Sequence, residues 1–141
     1  MSDPYKYIDP DYTYIDPHTG VLRNLQGVND PEDYIFFEGG MVVKRLGELS
    51  YNPIQITGIE SLFEIHKFLF QDIFSWAGKR RLVEIAKDGK QFFPTTRFET
   101  AFRYIDRTIA DYRKIPAENK KHIAEKLAQI LDDVNYLHPF R

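Results

Sequence analysis

The chain closes on Asn135-Tyr136-Leu137-His138-Pro139-Phe140-Arg141, which follows a long amphipathic stretch. Apolar side chains recur through that stretch at three- and four-residue steps, which predicts a helix with one buried face. The predicted face consists of Ile123, Ala124, Leu127, Leu131 and Val134. Because a residue before proline disfavours helical torsions, His138 should leave the helix as Pro139 ends it. The imidazole is therefore expected at a helix-to-loop junction, next in line on the apolar face.

An earlier segment carries the strongest helical pattern of the chain. It opens with a capping box, Thr57-Gly58-Ile59-Glu60, and Gly78 is placed as a C-cap. One apolar stripe lies between them and consists of Ile59, Leu62, Phe63, His66, Leu69, Phe70, Ile73 and Phe74. Because His66 lies on this stripe, we interpret it as a hydrogen-bonded core histidine. Trp76 is interpreted as packing at the end of the helix.

In residues 81–93 the apolar side chains change from helical spacing to alternation, which predicts a β-hairpin. Leu82-Val83-Glu84-Ile85-Ala86 is β-branched and alternates, and Gln91-Phe92-Phe93 is the returning strand. Lys87-Asp88-Gly89-Lys90 between them supplies an Asp-Gly turn. Pro94 limits the second strand, and a hairpin of only two strands needs support from the helices.

Two further helices complete the predicted core. Asp30 is placed as an N-cap before Pro31, with a stripe of Ile35, Val42, Leu46 and Leu49 that ends before Pro53. A second capping box at Thr96 precedes a stripe of Phe98, Ala101, Phe102, Ile105, Ile109 and Tyr112. The prediction is a mainly helical domain with one projecting hairpin.

Residues 1–28 predict an irregular N-terminal arm before the core of residues 29–141. Asp9-Pro10 and Asp16-Pro17 are turn signals within it. We interpret its tyrosines as packing on the domain, and the alternative is that Tyr7, Tyr12 or Tyr14 is a modification site.

Composition excludes several classes of function. The formal net charge is −2 at pH 7 and the chain has no cysteine, so disulfides and thiolate metal sites are ruled out. Interspersed charges give no electrostatic case for nucleic acid. No histidine and acid have metal-ligand spacing, so no metal site formed by this chain alone is predicted. No apolar run approaches the ~20 residues that span a bilayer, and no signal peptide is seen.

His138 has the strongest functional case of the four histidines. A histidine titrates near neutral pH, so it can take the proton of a hydroxyl during nucleophilic attack. Pro139 fixes the backbone after it, and Phe140 is expected to bury the loop against the core. The alternative is an exposed or capping histidine without chemistry. His18 and His122 have no surrounding pattern of residues in the sequence that indicates a functional site.

These stretches together resemble the Fic-domain family over roughly residues 20–141. His66 to Gly78 is similar to the helix before that family's flap, Arg81 to Phe93 is similar to the flap hairpin, and Asn135 to Arg141 is similar to the start of its signature motif. Gly20 to Leu25 resembles the Fic domains of Bep-type effectors, which type IV secretion delivers to host cells.

The resemblance implies transfer of AMP from ATP to a serine, threonine or tyrosine hydroxyl of a target protein. His138 would be the catalytic base, Pro139 and Phe140 would support the motif, and Arg141 would have no catalytic role. ATP and Mg²⁺ are the expected cofactors. A target segment would add to the edge of the flap as a strand, in a docking region that we expect to include Val83, Ile85, Lys87, Asp88, Gly89 and Lys90.

The family motif continues after its arginine with an acidic residue and Gly-Asn-Gly-Arg, which hold the metal and the phosphates. We therefore expect the nucleotide-binding groups and further helices to lie beyond Arg141. Residues 1–141 alone are expected to bind no cofactor and to be inactive. The alternative is a catalytically silent module that docks partners through the flap. A small antitoxin-like inhibitor is a further expected partner, in the bacterial cytoplasm or, after secretion, the host cytoplasm.

Overall fold

Helices make up about half of residues 5–141, the part of the chain that this computed structural model describes. The elements in chain order are β1 (Tyr5–Ile8), α1 (Pro31–Tyr51), α2 (Ile59–Phe70), β2 (Glu84–Lys87), β3 (Lys90–Gln91), a 3₁₀ turn (Thr95–Arg97), α3 (Phe98–Arg113) and α4 (Lys120–Leu137). The prediction of a mainly helical domain with a β-hairpin is confirmed. The elements form two packing units. The α1 unit comprises residues 9–55 and 62–80, and the described part of the sheet unit comprises residues 5–8, 56–61 and 81–141.

Helix α1 begins where the sequence predicts. The Asp30 carboxylate accepts the N–H groups of Glu32 and Asp33, both at 3.0 Å, and Pro31 needs no acceptor in the first turn. The predicted stripe is wrong at two positions, since Ile35 is 69% exposed and Leu46 is 50% exposed. The neighbouring stripe of larger side chains faces the core instead. It consists of Tyr34, Phe37, Met41 and Val42, which pack around Val21, Ile73 and Phe74.

His66 is a core histidine of the α1 unit, as predicted. Its Nδ1 accepts the N–H of Gly78 at 2.9 Å. Gly78 has φ +76°, and a Cβ there would lie 2.6 Å from the Cβ of Lys67, so only glycine fits this turn. Burial lowers the pKa of His66 to about 4. Trp76 packs nearby against Phe74, with ring centroids 4.5 Å apart, which confirms its core interpretation.

Helix α2 starts in a different way from the predicted capping box. The N–H of Ile59 donates to the Asp106 carboxylate of α3 at 2.6 Å, and the Thr57 N–H donates to Ser61 Oγ at 2.9 Å. An acid from a distant helix therefore takes the N-cap function that the sequence assigns to Thr57. The helix also ends at Phe70, before the last two members of its predicted stripe.

The predicted hairpin is present but is part of a three-stranded antiparallel sheet with the order β1-β2-β3. Asp88 and Gly89 both have positive φ, 50° and 76°, as the tight turn between β2 and β3 requires. Strand β1 pairs with the other edge of β2, from Tyr5 opposite Lys87 to Ile8 opposite Glu84. The prediction that residues 1–28 are irregular is therefore wrong for residues 5–8, and residues 1–4 lie outside the described residues.

Helices α3 and α4 pack against each other beside this sheet. Phe98, Ile105 and Ile109 of α3 are buried as the pattern predicts. The predicted buried face of α4 is wrong at three positions, because Ala124 is exposed, Leu127 is 45% exposed and Leu131 is 72% exposed. Leu137 in the last turn is buried instead, so α4 contributes to the core mainly where it approaches His138.

Titration of His66 should make the protein less stable in mild acid. Its pKa of about 4 lies below the ordinary value of 6.5. Between these pH values the unfolded chain binds more protons than the folded one. The stabilisation is therefore complete above pH ~6.5 and is lost as the pH falls toward 4. A His66→Gln variant keeps an acceptor for the Gly78 N–H but does not titrate.

Urea unfolding at pH 7 and pH 5 measures this effect. The wild type should lose about 1.5 kcal/mol more of its free energy of unfolding than His66→Gln over that range. The matched control is His122→Gln, which changes an exposed histidine of α4 and should behave as the wild type does. Equal losses in the wild type and His66→Gln would contradict the assignment of a buried neutral imidazole.

Candidate functional site

His138 is the C-cap of α4 and has left-handed torsions, φ 46° and ψ 65°. Its N–H still donates to the Val134 carbonyl at 2.9 Å, and Pro139 then ends the helix. The sequence predicts this exit from the helix, because the residue before a proline avoids right-handed helical torsions. A left-handed conformation costs a residue with a Cβ about 1–2 kcal/mol. Other contacts must therefore hold the backbone in this shape.

Arg81 supplies those contacts. Its side chain is buried, with 1% of the residue exposed, and it lies at the entrance of the hairpin. The guanidinium donates to four backbone carbonyls, those of His138 at 2.7 Å, Val83 at 2.7 Å, Leu137 at 3.3 Å and Phe93. The Arg81 N–H also donates to the Pro139 carbonyl at 2.7 Å. One residue thus joins both sides of the hairpin to the end of α4.

Carbonyl dipoles and an aromatic ring account for the buried charge of Arg81. The last carbonyls of a helix lack intrahelical donors and carry partial negative charge, so a cation is favoured there. The guanidinium carbon also lies 4.8 Å from the centre of the Phe98 ring. The Glu84 carboxylate is 3.9 Å away, which is long for a direct ion pair. Glu84 instead accepts from the N–H and the hydroxyl of Thr95.

The His138 imidazole faces the inner side of the sheet. Its ring centre lies 5.2 Å from that of Phe92, and its Nε2 lies 3.4 Å from the Tyr7 hydroxyl of β1. Burial lowers the pKa of His138, and the positive charges of Arg81 and Arg141 lower it further. The imidazole is therefore neutral at pH 7, and a neutral imidazole next to a hydroxyl can accept its proton.

The two residues expected to support the signature motif, Pro139 and Phe140, differ in how deeply they are buried. Pro139 is buried and Phe140 is half-buried, so the proline makes the deeper contact with the core. Arg141, which the sequence gives no catalytic role, stacks on Tyr7 with its guanidinium carbon 3.5 Å from the ring centre.

The residues expected to dock a target fall into two groups. Val83 is 8% exposed and Ile85 is 1% exposed, so their side chains belong to the core and not to a docking surface. Their alternation places one face of β2 inward. Asp88, Gly89 and Lys90 at the turn are exposed, and Lys87 is half-buried. Of the residues predicted to dock a target, those at the turn are therefore the ones exposed to solvent.

Arg81 is the residue of the site that sequence reasoning missed. It stands in the run Lys79-Arg80-Arg81, which has the composition of a solvated charged turn. The available signal was its position directly before an alternating strand, where the third cation of the run faces inward with Val83 and Ile85. The sequence offers Tyr7 only as an alternative modification site, because its pairing with Ile85 of β2 joins residues 78 positions apart and leaves no local pattern.

Within residues 5–141 no group of three or more histidine and acidic side chains could hold a metal ion. Over the same residues no helix has both the length and the apolar character to cross a membrane.

A model of the Fic/DOC family matches residues 55–141 of the chain. Protein adenylyltransferase VbhT of Bartonella schoenbuchensis is 32% identical over 137 residues, which cover 96% of this chain and 29% of VbhT. The chain therefore spans less than a third of that relative.

Solved structures show the same fold. The N-terminal Fic domain of a Bartonella effector protein from Bartonella sp. AR 15-3, named as a substrate of the VirB type IV secretion system, has a TM-score of 0.79 at 21% identity. The alignment covers 92% of this chain and 65% of that one. BepC of Bartonella tribocorum, with bound AMPPNP, has a TM-score of 0.78 at 23% identity and coverage of 92% and 70%.

Removing the guanidinium of Arg81 should weaken the sheet unit strongly. An Arg81→Met variant keeps most of the buried volume but leaves the carbonyls of α4 and the hairpin without donors. Each buried unsatisfied group costs ~1–3 kcal/mol, so we expect a loss of about 3 kcal/mol in the free energy of unfolding. Urea unfolding measures it.

The matched control is Lys79→Met, which removes an exposed cation from the same run. It should change the free energy of unfolding by less than ~0.5 kcal/mol. Equal stabilities of the two variants would show that the Arg81 hydrogen bonds do not hold the structure.

Proposed function

The chain belongs to the Fic/DOC family, and we propose that it is a protein adenylyltransferase domain in which His138 is the general base. The observation that carries this proposal is the His138 environment, a neutral imidazole whose Nε2 lies 3.4 Å from a hydroxyl. The relative VbhT is named a protein adenylyltransferase, which supports AMP as the transferred group.

The proposed reaction uses His138 as the base that removes the proton of the acceptor. Nε2 of His138 takes the proton of an acceptor hydroxyl as its oxygen attacks the α-phosphorus of ATP. The new O–P bond forms, the bond from the α-phosphorus to the bridging oxygen breaks, and pyrophosphate leaves. The proposed acceptor is a serine, threonine or tyrosine, because the imidazole requires only a hydroxyl proton that it can remove. His138 then returns the proton to solvent.

ATP is the proposed donor, since BepC was crystallised with AMPPNP. The family motif places its phosphate-binding glycines and acidic metal ligand after the position of Arg141. We therefore expect residues 1–141 alone to bind neither ATP nor Mg²⁺ tightly and to turn over little ATP. Residues 1–141 contribute the proposed base His138, the buried Arg81 and the hairpin.

We propose that a target protein approaches the hairpin at its turn and through backbone pairing, as an added strand. Lys87, Asp88, Gly89 and Lys90 are the proposed contact residues. Val83 and Ile85 are not among them, because their side chains are buried and β2 is already paired on both edges. In this proposal the Fic-like core consists of residues 29–141 and includes the flap of about residues 81–93. A small antitoxin-like protein is a further proposed partner. The Bartonella effectors of similar fold support delivery to a host cytoplasm, with the bacterial cytoplasm as the alternative.

Replacing His138 by alanine should abolish AMP transfer. The natural polypeptide that carries residues 1–141 is incubated with ATP labelled at the α-phosphate, and labelled protein is measured. Loss of a general base costs ~100-fold or more in rate. The wild-type rate should rise with pH, with a midpoint below the ordinary histidine value of 6.5, because burial lowers the pKa of His138. Thermal unfolding should change little, because the hydrogen bond from Arg81 goes to the backbone carbonyl of residue 138 and survives the substitution.

His122→Ala, an exposed change on the same helix, is the matched control and should label as the wild type does. Labelling that persists in His138→Ala would contradict the proposed base. A wild-type protein that binds a target but labels nothing would favour the silent docking module.

A further inference from the structure

A pocket of about 340 Å³ lies between α3, α4 and the end of the hairpin, within the sheet unit. Its size is at the lower end of the range of roughly 300–1,000 Å³ that is typical of small-molecule sites. The apolar part of its lining consists of Phe93, Ala101, Tyr104, Ile105, Tyr136 and Leu137. The reaction proposed for His138 uses none of these side chains, so the pocket is available for another purpose.

Three aromatic rings give the pocket flat apolar walls. Phe93 and Tyr136 meet edge to face, with ring centroids 6.2 Å apart and ring planes at 80°. Tyr136 is 59% exposed and Tyr104 is 46% exposed. The Tyr104 hydroxyl accepts an N–H of the Gln129 amide at 3.1 Å, which holds its ring in place. Partly exposed rings favour contact with another aromatic ring, which would cover their apolar area.

Two arginines of the lining favour a ligand that is also an anion. Arg107 is exposed and has no hydrogen bond or ion pair with any residue that the structure describes. The Arg97 guanidinium packs on the Phe93 ring, with its carbon 5.5 Å from the ring centre. A guanidinium presents N–H donors in a planar fork that matches a carboxylate.

Asp133 adds a requirement for a hydrogen-bond donor. It lines the pocket, and its Oδ2 is buried and accepts no hydrogen bond from the described residues. Burial raises the pKa of Asp133, and the charge of Asp132 raises it further. A buried polar atom without a partner costs free energy, so a donor brought by a ligand would be stabilising. The last torsion of an aspartate is soft, so either carboxylate oxygen can turn toward that donor.

We propose that this pocket binds a small aromatic acid with a hydrogen-bond donor on its ring, of which indole-3-acetate is a simple example. The ring lies between Tyr104 and Tyr136. The carboxylate pairs with Arg107 and Arg97, and the ring N–H donates to Asp133. This site goes beyond the function proposed above, because neither ATP nor a target hydroxyl takes part in it.

The pocket shares two of its walls with the arginine that holds His138. The Arg81 guanidinium binds the carbonyls of Phe93 and Leu137, whose side chains line the pocket, and the carbonyl of His138 at 2.7 Å. Close-packed interiors transmit small displacements. A ligand that displaces Phe93 or Leu137 therefore also acts on the backbone at His138, which gives the pocket a means to regulate the base.

Calorimetric titration of the natural polypeptide that carries residues 1–141, without ATP, tests the site with three probes. Indole-3-acetate has the ring, the anion and the donor, and should bind with a dissociation constant below ~1 mM. The probe 3-methylindole lacks the carboxylate, and 1-naphthaleneacetate lacks the N–H. Each should bind about tenfold more weakly than indole-3-acetate.

Two variants assign the binding to this pocket. Arg107→Gln removes the exposed cation and should weaken indole-3-acetate about tenfold. Asp133→Ala removes the acceptor and should abolish the preference for indole over naphthalene. The matched control is Arg113→Gln, which changes an exposed arginine in the last turn of α3 and should bind as the wild type does.

Several results would overturn the inference. Absence of indole-3-acetate binding at ~1 mM does so, as does binding that none of the pocket variants changes. An acidic peptide with one tryptophan that binds through Arg107 when the free acid does not would assign the pocket to a partner protein and overturn a small-molecule ligand. None of these measurements involves AMP transfer, so the function proposed above is tested separately.

NMR of protein labelled at its histidine rings tests the coupling to the base. The ring signals of His138 should shift as indole-3-acetate saturates the pocket, whereas those of His122, which is exposed on α4, should not. Saturation with no change at His138 would overturn the coupling and leave the binding site standing.

Discussion

The buried guanidinium of Arg81 is the interaction on which the rest of the site depends. It binds the Val83 and Phe93 carbonyls at the two sides of the hairpin and the Leu137 and His138 carbonyls at the end of α4. A planar group with five fixed N–H donors suits such a junction, whereas a lysine has three donors around a single point. The unfavourable torsions of His138 persist because this arginine and the following proline determine the backbone around them.

The same arginine influences the chemistry of the imidazole. Its positive charge adds to the effect of burial and keeps the pKa of His138 below its ordinary value. A histidine that is neutral at working pH can act as a base without first losing a proton. Arg81 therefore contributes to both structure and reactivity, since it holds the backbone at His138 and adds to the effect of burial on the pKa of the ring. The sheet then presents a hydroxyl to that ring from β1.

The accuracy of the sequence predictions follows the range of the interactions. Local signals gave the start of α1 at Asp30, the Asp88-Gly89 turn and the exit of the chain at His138, because each depends on the torsions of a few neighbouring residues. The resemblance of residues 135–141 to the start of the Fic signature motif identified His138 as the candidate base. Long-range interactions left no such trace: Asp106 caps α2 from 47 residues away, and β1 pairs with a strand near residue 85. The sequence also does not distinguish a buried arginine such as Arg81 from an exposed one, because its hydrogen-bond acceptors come from distant parts of the chain.

The most direct measurement of the central claim is the titration of His138 by NMR in protein labelled at its histidine rings. The account predicts a midpoint below 6.5, the ordinary value for histidine, and a higher midpoint when Arg81 is replaced by methionine in a sample that remains folded. A midpoint at or above 6.5 in the wild type would contradict it, because burial and the arginine charges would then not be lowering the pKa of the ring.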